Sequence, residues 1–293
     1  MQITDEDYQH YKPLLFSLGY RLLGSVMEAE DMMQETFLRA IKLKEQNINN
    51  KKAYLCKMMT NRCLDALKSA RYKREQYVGP WNPEPLLLEK WHAFDPSETL
   101  IKKEGLSIAY LRMMEHLTAD ERAVLLLREI FDFPYSEIAN IIEKKDENCR
   151  KIYSRAKQKI SLVEGESLNY EKNESMVHSF IKALQLQNMD ALLELISENV
   201  TLYSDGGGKV NAAVRPVVSR SNVLALLFGI LKKVPKDFNF EIKNVNTQPA
   251  IVINMNGTLQ SILSFYISND QMNEIYITMN PEKLAIFYRD KIR

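Results

Sequence analysis

The spacing of apolar residues changes once along this chain, and that change limits what it can fold into. Up to about residue 163 the apolar positions recur at helical intervals. Leu14, Leu15, Leu18 and Leu22 form one stripe; Met33, Phe37, Ala40 and Ile41 a second; Leu55, Met59, Cys63 and Leu67 a third. Gly24-Ser25 breaks the first stripe. Ile138, Ala139 and Ile142, then Cys149, Ile152, Tyr153, Ala156 and Ile160, read as helix, turn, helix. Thr118 with Glu121 three residues on is a capping-box spacing. From residue 170 the pattern differs. Helices are expected at about 174–187, 189–197 and 219–233, followed by strand-like runs at 239–246, 250–255, 258–268 and 273–279. Asn256-Gly257 and Asn269-Asp270 are turn signals between those runs, so an antiparallel sheet is expected. Helices first and strands later make this part α+β.

Between the helical parts, residues 76–100 carry Pro80, Pro83, Pro85 and Pro96 and both tryptophans, Trp81 and Trp91. Proline cannot continue a helix, so this is a partly extended linker. A plain tether rarely uses tryptophan, so the linker is expected to dock on something. The length of 293 residues, 45% hydrophobic and 26% charged, suits two or three globular domains. Three cysteines without a C-x-x-C pair argue against a disulfide scaffold or a cysteine zinc site and fit a reducing cytosol. No apolar run approaches about 18 residues, and the acidic first residues lack a signal core. A cytoplasmic protein with no membrane partner, metal or cofactor is expected.

The net charge of +1 hides blocks. Residues 51–80 hold 8 basic against 2 acidic side chains, and residues 143–160 hold 7 against 3, while 81–142 hold 6 against 11. Two basic blocks in an otherwise acidic stretch fit two contacts with one polyanion; solvated helix faces explain either block alone. On the helix at 28–44, Asp31, Gln34, Glu35, Leu38 and Lys42 lie opposite the apolar stripe, either solvated or facing a basic partner helix. On the helix at 51–74, Lys57, Asn61, Arg62, Asp65 and Lys68 turn away from the stripe, and the helix ends in Arg71, Lys73 and Arg74 with Tyr72 and Tyr77 interleaved. Cations suit phosphates, and aromatic and amide groups suit unstacked bases. On the helix at 147–160, Arg150, Lys151, Ser154, Arg155 and Lys157 face outward, as the second helix of a helix-turn-helix presents them to the major groove.

These segments together resemble a known family. Residues 29–41 (AEDMMQETFLRAI) look like the polymerase-binding part of region 2 of bacterial sigma factors, and 53–75 look like the segment that melts and reads the −10 element. Residues 117–142, with the helix ending in 154–160, look like region 4, which reads the −35 element. The lack of intermediate regions resembles the extracytoplasmic-function class. Glu143 stands where the family has a turn glycine, and Cys149 where a β-branched residue is usual. Three further signatures resemble a subgroup with a SnoaL-like C-terminal extension: Trp81-Asn82-Pro83-Glu84-Pro85, Asp205-Gly206-Gly207-Gly208-Lys209 and Asn280-Pro281-Glu282-Lys283-Leu284.

The resemblance implies a multidomain fold: two all-α sigma domains, region 2 (1–76) and helix-turn-helix region 4 (105–165), joined by a linker (77–104), plus an α+β SnoaL-like cone (170–293). It implies docking on RNA polymerase core through Asp31, Gln34, Glu35 and Leu38, −10 contacts from Lys57 to Arg74, and −35 contacts from Arg150, Lys151, Ser154, Arg155 and Lys157. The extension would regulate the factor in cis, the linker and the two loops packing together against region 2, so that truncation after Ser167 raises promoter activity. A monomer is expected when free.

From the residues alone, the glycine loop reads as a bulge or hairpin in which Asp205 and Lys209 pair across the turn or bind another domain. It does not meet the phosphate-loop pattern, because Val210 follows Lys209. Two rivals remain at this level. One is a helix-turn-helix regulator with a small-ligand pocket in the cone. The other is a SnoaL-like enzyme; His178, the one histidine of that part, and Asp205 and Asp237 near turn residues form no acid–base pair that stands out.

Overall fold

The structure is a computed structural model that describes residues 3–43, 48, 50–75, 77–87, 106–160, 169–233 and 239–286. The described residues divide into two compact units. One comprises those up to 75, Leu106, and those from 110 to 160; the other comprises 77–87, 107–109 and those from 169 onward. Among them no helix is long and apolar enough to cross a membrane.

The first unit is helical. Helix α1 (Asp5–Leu23) starts in a capping box: Thr4 accepts from the Asp7 amide, and the Asp7 carboxylate accepts from the Thr4 amide. Asp5, Glu6 and Asp7 sit at the positive end of its dipole, and Gly24 ends it in the left-handed region at φ 68°. Helices α2 (Val26–Leu43) and α3 (Lys51–Glu75) pack on it. The approach is close: a Cβ on Gly19 of α1 would lie 2.3 Å from the Met59 methyl of α3. Leu15, Leu18, Leu22, Met33, Phe37, Leu55, Met59 and Cys63 are buried in this unit.

Next come α4 (Ile108–Met113), a 3-10 turn at Met114–His116, α5 (Ala119–Glu129), α6 (Tyr135–Ile142) and α7 (Asp146–Ile160). Thr118 and Glu121 form the expected capping box at the start of α5. Helix α6 ends on Glu143 at φ 56°, a left-handed conformation ordinarily left to glycine.

The second unit is α+β. Helices α8 (Tyr170–Gln185) and α9 (Met189–Leu195) lead into β1 (Ile196–Asp205) and β2 (Val217–Val218), then α10 (Arg220–Leu231). Strands β3 (Asn239–Val245), β4 (Gln248–Met255), β5 (Thr258–Ser268) and β6 (Gln271–Thr278) and a short helix α11 (Pro281–Leu284) complete it. The described strands form one sheet in the order β2-β1-β6-β5-β4-β3. Strands β3 to β6 are an antiparallel meander whose turns put Asn246, Thr247, Asn256, Gly257, Asn269 and Asp270 at positive φ. The four expected runs thus pair antiparallel as anticipated, and the sheet adds a strand outside them: β1 joins β6 in parallel, with Leu202 opposite Ile275. Chain order explains it, because β1 precedes the meander and closes its far side through a long connection rather than a hairpin.

The pleat gives the sheet two apolar faces. Ile251, Leu263, Phe265, Ile275 and Ile277 meet Phe180, Leu192 and Leu227 of the helices. On the opposite face Val245, Ala250, Val252 and Ile262 meet Leu87 and Leu284, and Tyr276 meets Ile108 and Ala109.

Candidate nucleic-acid interface

Helix α2 buries Met33, Phe37 and Ala40 and exposes Asp31, Gln34, Glu35 and Leu38. Leu38, at 58% exposed, stands in water beside carboxylates. Ile41, expected on the buried face, is 37% exposed, because the α2 stripe turns away from the core in its last turn. On α3 the stripe of Leu55, Met59, Cys63 and Leu67 is buried, Lys57, Asn61 and Arg62 are half-buried, and Asp65 and Lys68 are exposed. Arg62 donates to Glu35, so the polar faces of α2 and α3 meet along one edge. Lys68 pairs with Asp65 at 3.1 Å. Arg71, Lys73 and Arg74 continue α3, but their side chains lie outside the described residues, as does Trp91.

Helix α7 buries Cys149 and Ala156 and exposes Arg150, Lys151, Ser154, Arg155 and Lys157. Its position is fixed by Lys159, which donates to both Glu121 oxygens at 2.8 and 2.7 Å, and by Tyr153, which donates to Glu129. Burial alone would push the Glu121 carboxyl up; Lys159 and the Thr118 amide outweigh it and hold it below the ordinary glutamate value. The Arg150 guanidinium lies 4.5 Å from the Tyr135 ring centre and 2.7 Å from Asp146, and Lys151 lies 2.7 Å from Glu147. These are exposed i, i+4 pairs, worth only about 0.3–0.5 kcal/mol each, so phosphates can displace them.

The helices of this unit also bond to one another. Buried Arg122 of α5 donates to the Leu22 carbonyl at 2.5 Å and to the Met114 carbonyl at 3.0 Å. It thereby satisfies an orphan acceptor in the last turn of α1. Lys57 of α3 pairs with Glu143 beyond α6 at 3.3 Å. The stripe spacing carried no signal for either bond.

In the second unit, the three linker and loop signatures come together around Asp205, which is 0% exposed at the end of β1. One carboxylate oxygen accepts from the Tyr77 hydroxyl at 2.5 Å and the Gly207 amide at 3.2 Å; the other accepts from the Asn82 amide and the Lys283 ammonium, both at 2.7 Å. Lys283 also donates to the Asn82 carbonyl and lies 4.1 Å from the Trp81 ring centre. Asn280 donates to the Tyr77 hydroxyl at 2.9 Å. Burial and the Asp205 acceptor both push the Tyr77 phenol well above its ordinary pKa. Gly207, at φ 59°, has Asn280 where a Cβ would go, only 2.3 Å away, and Gly208, at φ 70°, faces Val78. Further along, Leu86 and Asn246 exchange two hydrogen bonds of 2.8 and 2.9 Å, and Pro83, Glu84 and Pro85 are buried between these anchors.

Several expectations change here. Asp205 pairs with Lys283 rather than Lys209, and Lys209 pairs instead with Glu282. A turn this tight brings the Asp205 carboxylate against α11, where Lys283 is in reach. Tyr77, expected beside the basic end of α3, is spent on Asp205, 128 positions away. Trp81 is half-buried rather than exposed. His178 is exposed, and Asp237 lies outside the described residues.

Comparison with known proteins supplies the family context. Residues 7–72 match the model of sigma-70 region 2, and residues 107–160 match that of sigma-70 region 4. The chain is 29% identical over 231 residues to the ECF RNA polymerase sigma factor SigJ of Mycobacterium tuberculosis (strain ATCC 25618 / H37Rv), covering 78% of this chain and 73% of that protein. It is 27% identical over 281 residues to the probable ECF RNA polymerase sigma factor SigI of the same strain, covering 94% and 93%. In solved structures, the crystal structure of the Mycobacterium tuberculosis extracytoplasmic function sigma factor SigJ superposes with a TM-score of 0.77 at 23% identity, over 96% of this chain and 98% of that one, and so shares its fold.

Proposed function

The chain belongs to the extracytoplasmic-function sigma factors and carries a C-terminal extension, and from that premise we infer how its surfaces work. As a sigma factor it directs RNA polymerase core to promoter DNA and starts transcription; it makes no bonds itself, and the polymerase does. Asp31, Gln34, Glu35 and Leu38 of α2 form the dock for the polymerase, the carboxylates facing a basic partner surface and Leu38 supplying the apolar anchor. Lys57, Asn61, Arg62, Asp65 and Lys68, with Arg71, Lys73 and Arg74 beyond them, hold the −10 element. Unpairing a base costs a few kcal/mol, so cations and amides that bind the separated strand bias the duplex toward melting. Arg150, Lys151, Ser154, Arg155 and Lys157 of α7 engage the −35 element, Arg reading guanine edges and Lys holding phosphate.

The lock around Asp205 regulates this machinery. Asp205 of the glycine loop and Asn280 and Lys283 of the C-terminal motif hold the linker at Tyr77, Trp81 and Asn82, so the extension sets how much linker is free to span the two DNA-reading domains. Arg122 and the Lys57–Glu143 pair favour a closed arrangement of those domains, and polymerase must supply differential affinity for an open one. The protein acts in the cytoplasm, where its partners are. It is a monomer when free, because its own Leu87 and Ile108 cover the second face of the sheet.

One observation carries this reading: of the two segments that match sigma regions, the second turns the cationic face of α7 outward, and the first sets the exposed acidic face of α2 beside Lys57, Arg62 and Lys68 of α3. Copurification with core polymerase followed by run-off transcription tests it. The full chain should bind core and support initiation, and D31K/E35K should abolish both while leaving the helical fold intact. Unaltered core binding by that variant would refute the α2 assignment.

A further inference from the structure

A cavity of about 450 Å³ lies inside the second unit, between the sheet and helices α8 and α10. That is the size at which proteins hold small molecules. Phe180, Leu227, Phe240, Ile253, Met255 and Leu263 form its apolar walls. Among the described residues that line it there is no Asp, Glu, His, Lys or Arg. The polar groups on it are neutral: Gln185, Thr258, Gln260 and Ser261, with Thr258 and Gln260 exposed to solvent. A charged group inside would lose its hydration with nothing to replace it, whereas a hydrocarbon would fill space that offers water few partners.

One end of the cavity is built by the lock. Val210, Pro281 and Leu284 line it. Val210 follows the glycine turn and donates its amide to the Gly206 carbonyl at 3.3 Å. Leu284 stands next to Lys283 on α11, and Asn280, which caps α11, holds Tyr77. Each of these three lining residues belongs to a segment that also carries Asp205 or its partners, so a body filling the cavity bears on both sides of the lock.

We propose that this cavity binds a neutral, largely hydrocarbon small molecule whose one or two hydrogen-bonding groups meet the Thr258–Ser261 rim, and that its occupancy is transmitted through α11 and the 206–210 turn to the linker. The binding site stands independently of transcription; only its regulatory meaning rests on the lock reading above. The occupant is neutral because, among the described residues, no lining cation or carboxylate can pair with a charge, and it is small because the space is about 450 Å³ and walled by the domain's own core.

The test uses the full chain and N-phenyl-1-naphthylamine, a neutral apolar dye, as probe. It should bind saturably, one per chain, be displaced by 1-decanol, and resist displacement by decanoate until about tenfold higher concentration. Filling the cavity with I253F/L263F should weaken dye binding by about tenfold or more. In a W91F background, where Trp81 is the remaining tryptophan, 1-decanol should shift the tryptophan emission, because Lys283 lies against that ring. Absence of saturable binding, equal displacement by decanoate and decanol, or full binding by a folded I253F/L263F chain overturns the site. If that variant does not fold, the decanol and decanoate arms decide. Dye displacement with constant Trp81 emission overturns the coupling. None of these readouts depends on promoter activity, so failure of the regulatory reading would appear separately, as transcription indifferent to lock mutations while binding persists.

Discussion

Asp205 and Lys283 form a buried ion pair in the second unit, 0% and 5% exposed, with Tyr77, Asn82 and Gly207 bonding around it. Removing one partner leaves a charge without hydration, a loss of about 3–5 kcal/mol, whereas removing both leaves only packing to repair. D205N and K283M should therefore each lower the urea midpoint of the full chain strongly, and D205N/K283M should lose clearly less than the two together. Strict additivity would mean that the pair is not coupled. Glu121 gives a pH dependence. Its carboxyl is held below the ordinary value in the folded chain, so its contribution is complete above about pH 4.5 and disappears as pH falls through the lower folded value. Acid titration of E121Q should show a flatter loss of α-helical signal below pH 4.5 than the parent; superimposable curves would contradict the linkage. The three cysteines take no part, being buried, with Cys56 pushed up to about 12 by burial.

Helix α6 carries the clearest local conflict. Glu143 occupies a left-handed position at the end of α6, costing about 1 kcal/mol relative to glycine, and its exposed pair with Lys57 returns less than that. E143G should raise stability by up to about 1 kcal/mol in urea denaturation, and a loss would show that the Lys57 pair outweighs the strain. Local chemistry of this kind is what made much of the fold legible. Thr118 and Glu121 mark the start of α5, Gly24 the end of α1, and the Asn-Gly and Asn-Asp turns the meander. Periodicity likewise separated the exposed faces of α2, α3 and α7 from their stripes. What depends on distant partners was not legible. Nothing near Tyr77 announces an acceptor 128 residues away, nothing near Lys283 announces Asp205, and strand alternation cannot say whether β1 pairs in parallel. Ile41 failed for a smaller reason: a stripe on α2 that drifts with each turn outlasts the surface it packs against.

In the proposed function the first unit carries two DNA-reading faces and the second unit the lock that regulates them. Tyr77, Asn82 and Leu86 of the linker are held by hydrogen bonds in the second unit, and in the proposed function opening these bonds frees the chain that joins the two readers. Run-off transcription by the full-length lock variant D205N/K283M should therefore move in the same direction as transcription by a chain ending after Ser167, with both above the parent. Opposite responses would show that the extension acts by another route. In this reading α3 holds separated strands while α7 holds duplex upstream. Permanganate footprinting of holoenzyme on a cognate promoter tests it most directly, because the reagent oxidises unstacked thymines. With the parent chain, thymines of the downstream element should become reactive; with N61A/R62A/K68A that reactivity should vanish while upstream protection from nuclease persists, and with R150A/R155A the upstream protection should go first. Thymine reactivity that survives the α3 substitutions unchanged would show that α3 does not hold the separated strands.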